Sequence, residues 1–179
     1  MRKLGYILAV LCAVFGASSV LGVRSAPTVV RVPGACPFEG CQLGSWRARQ
    51  RVPTFADING VPGRPIRIGE SVTAFRAEVR AWPRQAIVTH VWDTDRQQGL
   101  RVGNSVQVLH PAGEGTVVLM YKNRMIHGSM DLGLRFTPSL ESAPLHWTWW
   151  VQVRLKNGSA IWLRDPQGKF SGMDEFSTD

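Results

Sequence analysis

Apolar and polar residues alternate in short runs along most of this chain. No segment beyond its first two dozen residues sustains the 3.6-residue period of a capped helix. Alternation with period two puts every second side chain on one face, so each run predicts a half-buried strand. The clearest run is Trp150-Val151-Gln152-Val153-Arg154-Leu155, followed by Lys156-Asn157-Gly158-Ser159 and then Ala160-Ile161-Trp162-Leu163. Asn-Gly between two alternating runs predicts a hairpin, because a type I′ turn needs positive φ at both central residues. Val151, Val153 and Leu155 fall on one face, and Trp150, Gln152 and Arg154 on the other. Asp165-Pro166 ends the second strand. Glu78 to Trp82, Ala86 to Trp92 and Gly115 to Lys122 read as further strands, with Lys122-Asn123 turning the chain into Met125-Ile126-His127. Short strands broken by Gly, Pro and Asn are the pattern of a small all-β barrel or sandwich.

One ten-residue stretch occurs twice. Ile66-Arg67-Ile68-Gly69-Glu70-Ser71-Val72-Thr73-Ala74-Phe75 aligns with Leu100-Arg101-Val102-Gly103-Asn104-Ser105-Val106-Gln107-Val108-Leu109 at an offset of 34 residues. Arg, Gly, Ser and the first Val are identical. Ile66, Ile68, Val72 and Ala74 alternate around the Gly in one copy, and Leu100, Val102, Val106 and Val108 in the other, which predicts one buried face for each. The Gly supplies a backbone angle that a side chain disfavours. Two copies of one turn-and-strand unit predict two related small barrels.

The first residues carry an address. Arg2 and Lys3 precede an apolar stretch from Leu4 to Phe15 and then Gly16, Ala17, Ser18 and Ser19, the order of a secretory signal peptide. The stretch is shorter than the roughly 20 apolar residues of a membrane span, so no transmembrane anchor is expected after cleavage. Cleavage after Ser19 or Gly22 fits a small-residue site, and cleavage after Ala26 fits less well; residues 1–22 are assigned to the signal. Cys12 lacks the small preceding residue of a lipoprotein box. Cys36 and Cys41 remain, and an even pair in an exported chain reads as a disulfide. Their spacing also suits half a zinc site, but there is no second pair, and His90, His110, His127 and His146 lie far downstream. So short a ring clips a loop rather than holding a domain.

Charge is uneven. From Ser45 to Arg101 there are ten arginines, no lysine and five acidic residues, a net of +5; from Val102 to Asp179 seven basic residues balance seven acidic ones. The basic half suits a polyanion or an anionic membrane surface, or simply serves solubility. Export and the lack of a dense Lys/Arg run argue against nucleic acid. No Gly-x-Ser-x-Gly elbow, His-Glu-x-x-His helix, metal-spaced cluster or phosphate-cradling loop is present, so neither a catalytic site, a metal nor a cofactor is expected. Asp93 and Asp95 read either as a solvated turn or as a carboxylate pair holding a cation, and Gly113-Glu114-Gly115 either as a hairpin turn or as a ligand-facing loop.

Tryptophan is the remaining signal, with seven in 179 residues. Core burial accounts for most indoles, yet one left exposed beside Arg makes a platform for sugar rings, peptide or proline. Trp46, Trp82, Trp92, Trp147 and Trp149, with Arg154, are the candidate ligand-binding residues. Trp147 and Trp149 are expected on one face and Trp150 on the other.

The late hairpin, with Trp150 at its start, its Asn-Gly turn and Ile161-Trp162-Leu163 in its second strand, resembles the closing hairpin of bacterial SH3-like domains. Ala160 stands where such domains usually have Gly. The repeated segments at 66–75 and 100–109 resemble the strand after their first loop. Cys36-Pro37-Phe38-Glu39-Gly40-Cys41, followed by Trp46 and Arg51-Val52-Pro53-Thr54-Phe55, is similar to the start of exported members. The resemblance implies two SH3-like barrels in tandem, the first over 45–92 and the second over 93–173, after an extension at 23–44 and before a tail at 174–179. The first copy lacks a closing hairpin of its own, so it is completed by Trp82 to Trp92 or the units share strands. The chain from Gly168 onward is expected to fray. The resemblance also implies a non-catalytic, periplasmic or extracellular binding module. Its partner would be cell-wall peptide or glycan, or an envelope protein. The alternatives are an accessory subunit of an envelope enzyme, or an assembly protein pairing through strand edges.

Overall fold

The computed structural model describes residues 28–137 and 144–173; the signal segment, Cys12 and the tail from Asp174 lie outside the described residues. The strands are β1 (Val30–Pro33), β2 (Ser45–Ala48), β3 (Ser71–Trp82), β4 (Arg84–His90), β5 (Ser105–Ala112), β6 (Thr116–Tyr121), β7 (Arg124–Ser129), β8 (Gly133–Phe136), β9 (His146–Arg154), β10 (Ala160–Arg164) and β11 (Phe170–Ser171). A five-residue helix, α1 (Asp93–Gln97), follows β4. The protein is all-β, as the alternation predicts. The late hairpin forms as β9 and β10, with Leu163 opposite Val151 and Ile161 opposite Val153.

The strands make two antiparallel sheets, in the orders β10-β9-β3-β2-β11 and β7-β6-β5-β4-β8, with β1 added along the far half of β3. Each sheet has the same plan. Its second, third and fourth strands form a meander, and its first lies between the second and the fifth. Neither path closes on itself, so the closed barrels expected from the resemblance are open sheets here. The units are nested rather than tandem. Trp82 to Trp92 does not complete the first sheet: Arg84–His90 founds the second, and the chain returns through β9, β10 and β11 to finish the first. The strands are therefore not divided at 92/93. The outer unit is β1–β3 with β9–β11, and the nested unit is β4–β8.

The sequence repeat is a structural repeat. Gly69 donates to the Ala48 carbonyl at 2.8 Å and Gly103 to that of Val88 at 2.8 Å, while Ala48 and Val88 donate back to Glu70 and Asn104. The Arg67 and Arg101 amides are held by the side chains of Glu70 and Asn104 at 3.1 and 2.9 Å. Both glycines sit at positive φ, 76° and 87°. A register irregularity follows at the same place in each copy, between Ala74 and Arg76 and between Val108 and His110. One expectation fails inside the repeat. Ile66, Val72 and Ala74 are buried with Leu100, Val106 and Val108, but Ile68 is 71% and Val102 63% exposed, because both occupy the turn itself, where alternation is interrupted.

The core of the outer unit gathers Trp46, Val79, Trp149, Val151, Val153 and Leu163, and that of the nested unit Val88, Leu100, Val108, Leu119 and Ile126. Leu109 and Val118, from the nested sheet, belong to the outer unit's core. Phe170 and Met173 are buried there too, and β11 pairs with β2, so the part of the tail up to Met173 is held by two apolar anchors instead of fraying. Cys36 and Cys41 are disulfide-bonded, with Cα atoms 5.7 Å apart.

Candidate binding face

Corresponding positions in the two sheets carry different side chains. In the outer unit one cross-strand row runs Arg76–Gln152–Trp162, and it continues through paired backbone to Phe55 and Pro62. Phe55 and Trp162 exchange both backbone hydrogen bonds, at 2.9 and 2.8 Å, so the hairpin at 52–66 extends the edge of β10. The corresponding row of the nested unit is His110–Val118–His127. There, Leu109, His110 and Val118 are buried against the outer unit, and the His110 ring lies 5.9 Å from that of Trp147. The disulfide loop completes this contact, since a Cβ on Gly113 would stand 2.8 Å from the Phe38 carbonyl oxygen. The outer face of the nested unit is therefore covered at Leu109, His110 and Val118, with His127 left exposed at the β7 end of the row, whereas the row of the outer unit is open from Arg76 to Trp162.

That open part is cationic and aromatic. The Arg76 guanidinium lies 5.8 Å from the Trp162 ring centroid, and the Arg154 guanidinium 5.0 Å from that of Phe75. Phe75, at the bulge, is 41% exposed. Neither Arg76 nor Arg154 has a carboxylate partner among the described residues, so each keeps its donors for a ligand. Further along, the face closes: Phe55 packs edge-on to Trp150, ring centroids 5.3 Å apart. Beside Trp150 in register, Glu78 takes Arg31 at 2.6 Å and Arg80 at 3.2 Å. Burial pushes the Glu78 carboxyl up, but hydrogen bonds and charge from Arg31 and Arg80 outweigh it and leave it below the usual carboxylate range. Both arginines are thus occupied, Arg31 pinning β1 to β3 and Arg80 holding Glu78 within β3.

The six residues singled out by sequence do not converge. Trp46 and Trp149 are core, and their indole N–H groups donate to the carbonyls of Gln42 and Ala35, each at 3.0 Å. They offer no ligand surface. Trp82 stacks on His146 with centroids 4.0 Å apart, and half-buried Trp147 faces His110. Trp92 is 51% exposed, but it precedes α1 in the nested unit. Arg154 stands at the other end of β9 from Trp147, roughly 23 Å away at about 3.3 Å per residue. Of the six it alone belongs to the open row's neighbourhood. Phe75, Arg76 and Trp162 were missed. Their signal is the strand partnership of β3 with β9, which no local pattern announces.

Asp93 and Asp95 also separate. Asp93 is exposed and holds Arg96 at 2.6 Å, as a solvated turn would. Asp95 is buried, and it accepts the backbone N–H of Trp92 at 2.9 Å and of Ser129 at 2.8 Å, closing α1 onto the edge of β7. Gly113-Glu114-Gly115 is the β5–β6 turn, with Glu114 at φ 59°. No group of three His, Cys, Asp or Glu side chains among the described residues is placed to hold a metal ion, and no helix among them is long and apolar enough to cross a membrane. No protein-family model, curated protein or solved structure matches the chain.

Proposed function

We propose that this chain is an exported, non-catalytic binding module of the bacterial cell envelope. In this reading it is built of two nested SH3-like units, and its open arginine–aromatic face engages carboxylate-bearing cell-wall peptide. The SH3-like reading is supported by the strand order, since in both sheets strands two to four form a meander and the first strand lies between the second and the fifth. Export is supported by the leader and by the disulfide. The observation that carries the ligand is the pair of guanidinium groups at Arg76 and Arg154, laid on aromatic rings and lacking acidic partners among the described residues. A guanidinium fork accepts a carboxylate in bidentate geometry, and an aromatic ring beneath it holds the fork flat at little entropic cost.

Purified, insoluble cell wall tests this. The mature chain is expected to sediment with it at low salt, and Arg76→Ala with Arg154→Ala to weaken its affinity about a hundredfold, roughly tenfold for each charge-assisted contact removed. A wild-type chain left wholly in the supernatant at low salt would sink the reading.

A further inference from the structure

The row that ends at Pro62 opens into a cup. Arg51, Pro53, Thr54, Phe55, Pro62, Gly63 and Pro65 line a concavity of about 480 Å³. Its wall is rigid for stated reasons. Three prolines fix their own φ. The hairpin is tied by paired backbone between Val52 and Ile66 and between Phe55 and Pro62, and the Thr54 hydroxyl donates to the Arg64 carbonyl at 2.8 Å. The lining is apolar apart from Thr54, already used, and Arg51. Arg51 is exposed and has no hydrogen bond or ion pair among the described residues, while Arg64, on the other arm of the hairpin, is committed to Glu70 at 2.6 Å. A preformed apolar hollow with one free guanidinium at its rim fits a ligand that ends in a small apolar group and a carboxylate. The nested unit has no counterpart, because α1 and the buried Asp95 replace the hairpin there.

Resting on the reading above, we infer that the cup is a terminal subsite for the free C-terminus of a short peptide. Its last small side chain sits among Pro53, Pro62 and Pro65, and its carboxylate forks onto Arg51. The rest of the peptide lies along Phe55 and Trp162 toward Arg76. Arg76 to Pro62 is four inter-strand steps, roughly 19 Å at about 4.8 Å each, the length of about six extended residues.

The probes are N-acetylated trialanine with a free carboxylate, in its D and L forms, and the same peptides amidated at the C-terminus. Binding to the full mature chain is followed through the backbone amide resonances of Thr54 and Gly63. At least one free acid is expected to shift them saturably. The amide and the Arg51→Gln variant are each expected to bind about tenfold more weakly. Arg51 is exposed, so its replacement leaves folding intact. Equal binding of acid and amide, no effect of Arg51→Gln, or no saturable shift by any peptide at millimolar concentration each overturns the subsite. If wild-type chain is still retained on cell wall in the last case, only the subsite falls; if retention is lost as well, the parent reading falls with it.

Discussion

The nested unit and the outer unit carry one five-strand frame with opposite chemistry on the same face. Where the nested unit has Leu109, His110 and Val118, the outer unit has Phe75, Arg76 and Gln152. The first set is apolar or buried, and it is covered by the outer unit's core and disulfide loop; the second is arginine-rich and open. A duplicated frame therefore does not repeat a function. One copy spends its outer face on holding the molecule together, which leaves the other copy's face free for a ligand. The hairpin after each first strand diverges in the same sense. In the outer unit it runs on as paired backbone to Pro62 and forms the cup, and in the nested unit it shortens to α1, whose Asp95 caps the β7 edge.

The bulge residues give the largest expected contrast. Leu109→Ala removes a fully buried side chain at the junction of the units and is expected to destabilise the protein by about 3 kcal/mol. Phe75→Ala, at the matching position, is expected to cost less than about 1 kcal/mol, because its ring keeps much of its water contact in the folded state. Urea midpoints of the two variants check this. Equal losses would mean that the faces are not covered and open in the way described.

The same contrast shows what was legible in sequence and what was not. The repeat at 66–75 and 100–109, the β9–β10 hairpin and the disulfide rest on short-range chemistry: a glycine at positive φ, an Asn-Gly turn, two cysteines five residues apart. Those were readable. The partners of β3 were not. Ala74 pairs with Val153, and nothing near either residue says that the nested unit intervenes. Trp46 and Trp149 looked like surface candidates for the same reason, since an indole in an alternating strand is core or rim according to what packs across it. The burial of Asp95 fits neither a solvated turn nor a cation-holding pair; its two acceptor contacts, one of them from Ser129 in β7, are invisible in a run of polar residues.

A smaller, symmetrical effect sharpens the equivalence of the turns. Gly69→Ala and Gly103→Ala each force a Cβ into left-handed backbone, at an expected cost of about 1–2 kcal/mol. Space does not distinguish them: nothing lies within 4 Å of a Cβ at Gly103, and the nearest atom at Gly69 is Arg47 Nη2 at 3.7 Å. The two losses, read as urea midpoints, are expected to agree within about 0.5 kcal/mol. A large disagreement would show that the turns are alike in sequence and unlike in energetics.

The mildest effect is confined to the covered face and needs a change of pH. His110 donates from Nδ1 to the Pro111 carbonyl at 2.6 Å, and its buried Nε2 has no hydrogen-bond partner among the described residues. Burial lowers its pKa; the hydrogen bond to Pro111 opposes that, and the charge of His127 in the same row adds to it. Unfolded, the imidazole takes up a proton near its ordinary value of about 6.5, while the folded chain still resists protonation. The unfolded state thus binds more protons below that pH. The His110 contribution is fully present above about 6.5 and is lost as pH falls toward the folded value, at no more than about 1.4 kcal/mol per unit. Glu70 and Glu78, both held below the carboxylate range by arginine, lose their contributions only at lower pH, as it falls through about 4.5 and beyond. Urea midpoints between pH 7 and 5 are therefore expected to decline in the wild type and to flatten in His110→Leu. Arg76, which holds the matching place on the open face, does not titrate in this window, so Arg76→Ala should leave the slope as it is. A slope that survives His110→Leu would move the proton uptake to another histidine and detach it from the covered face.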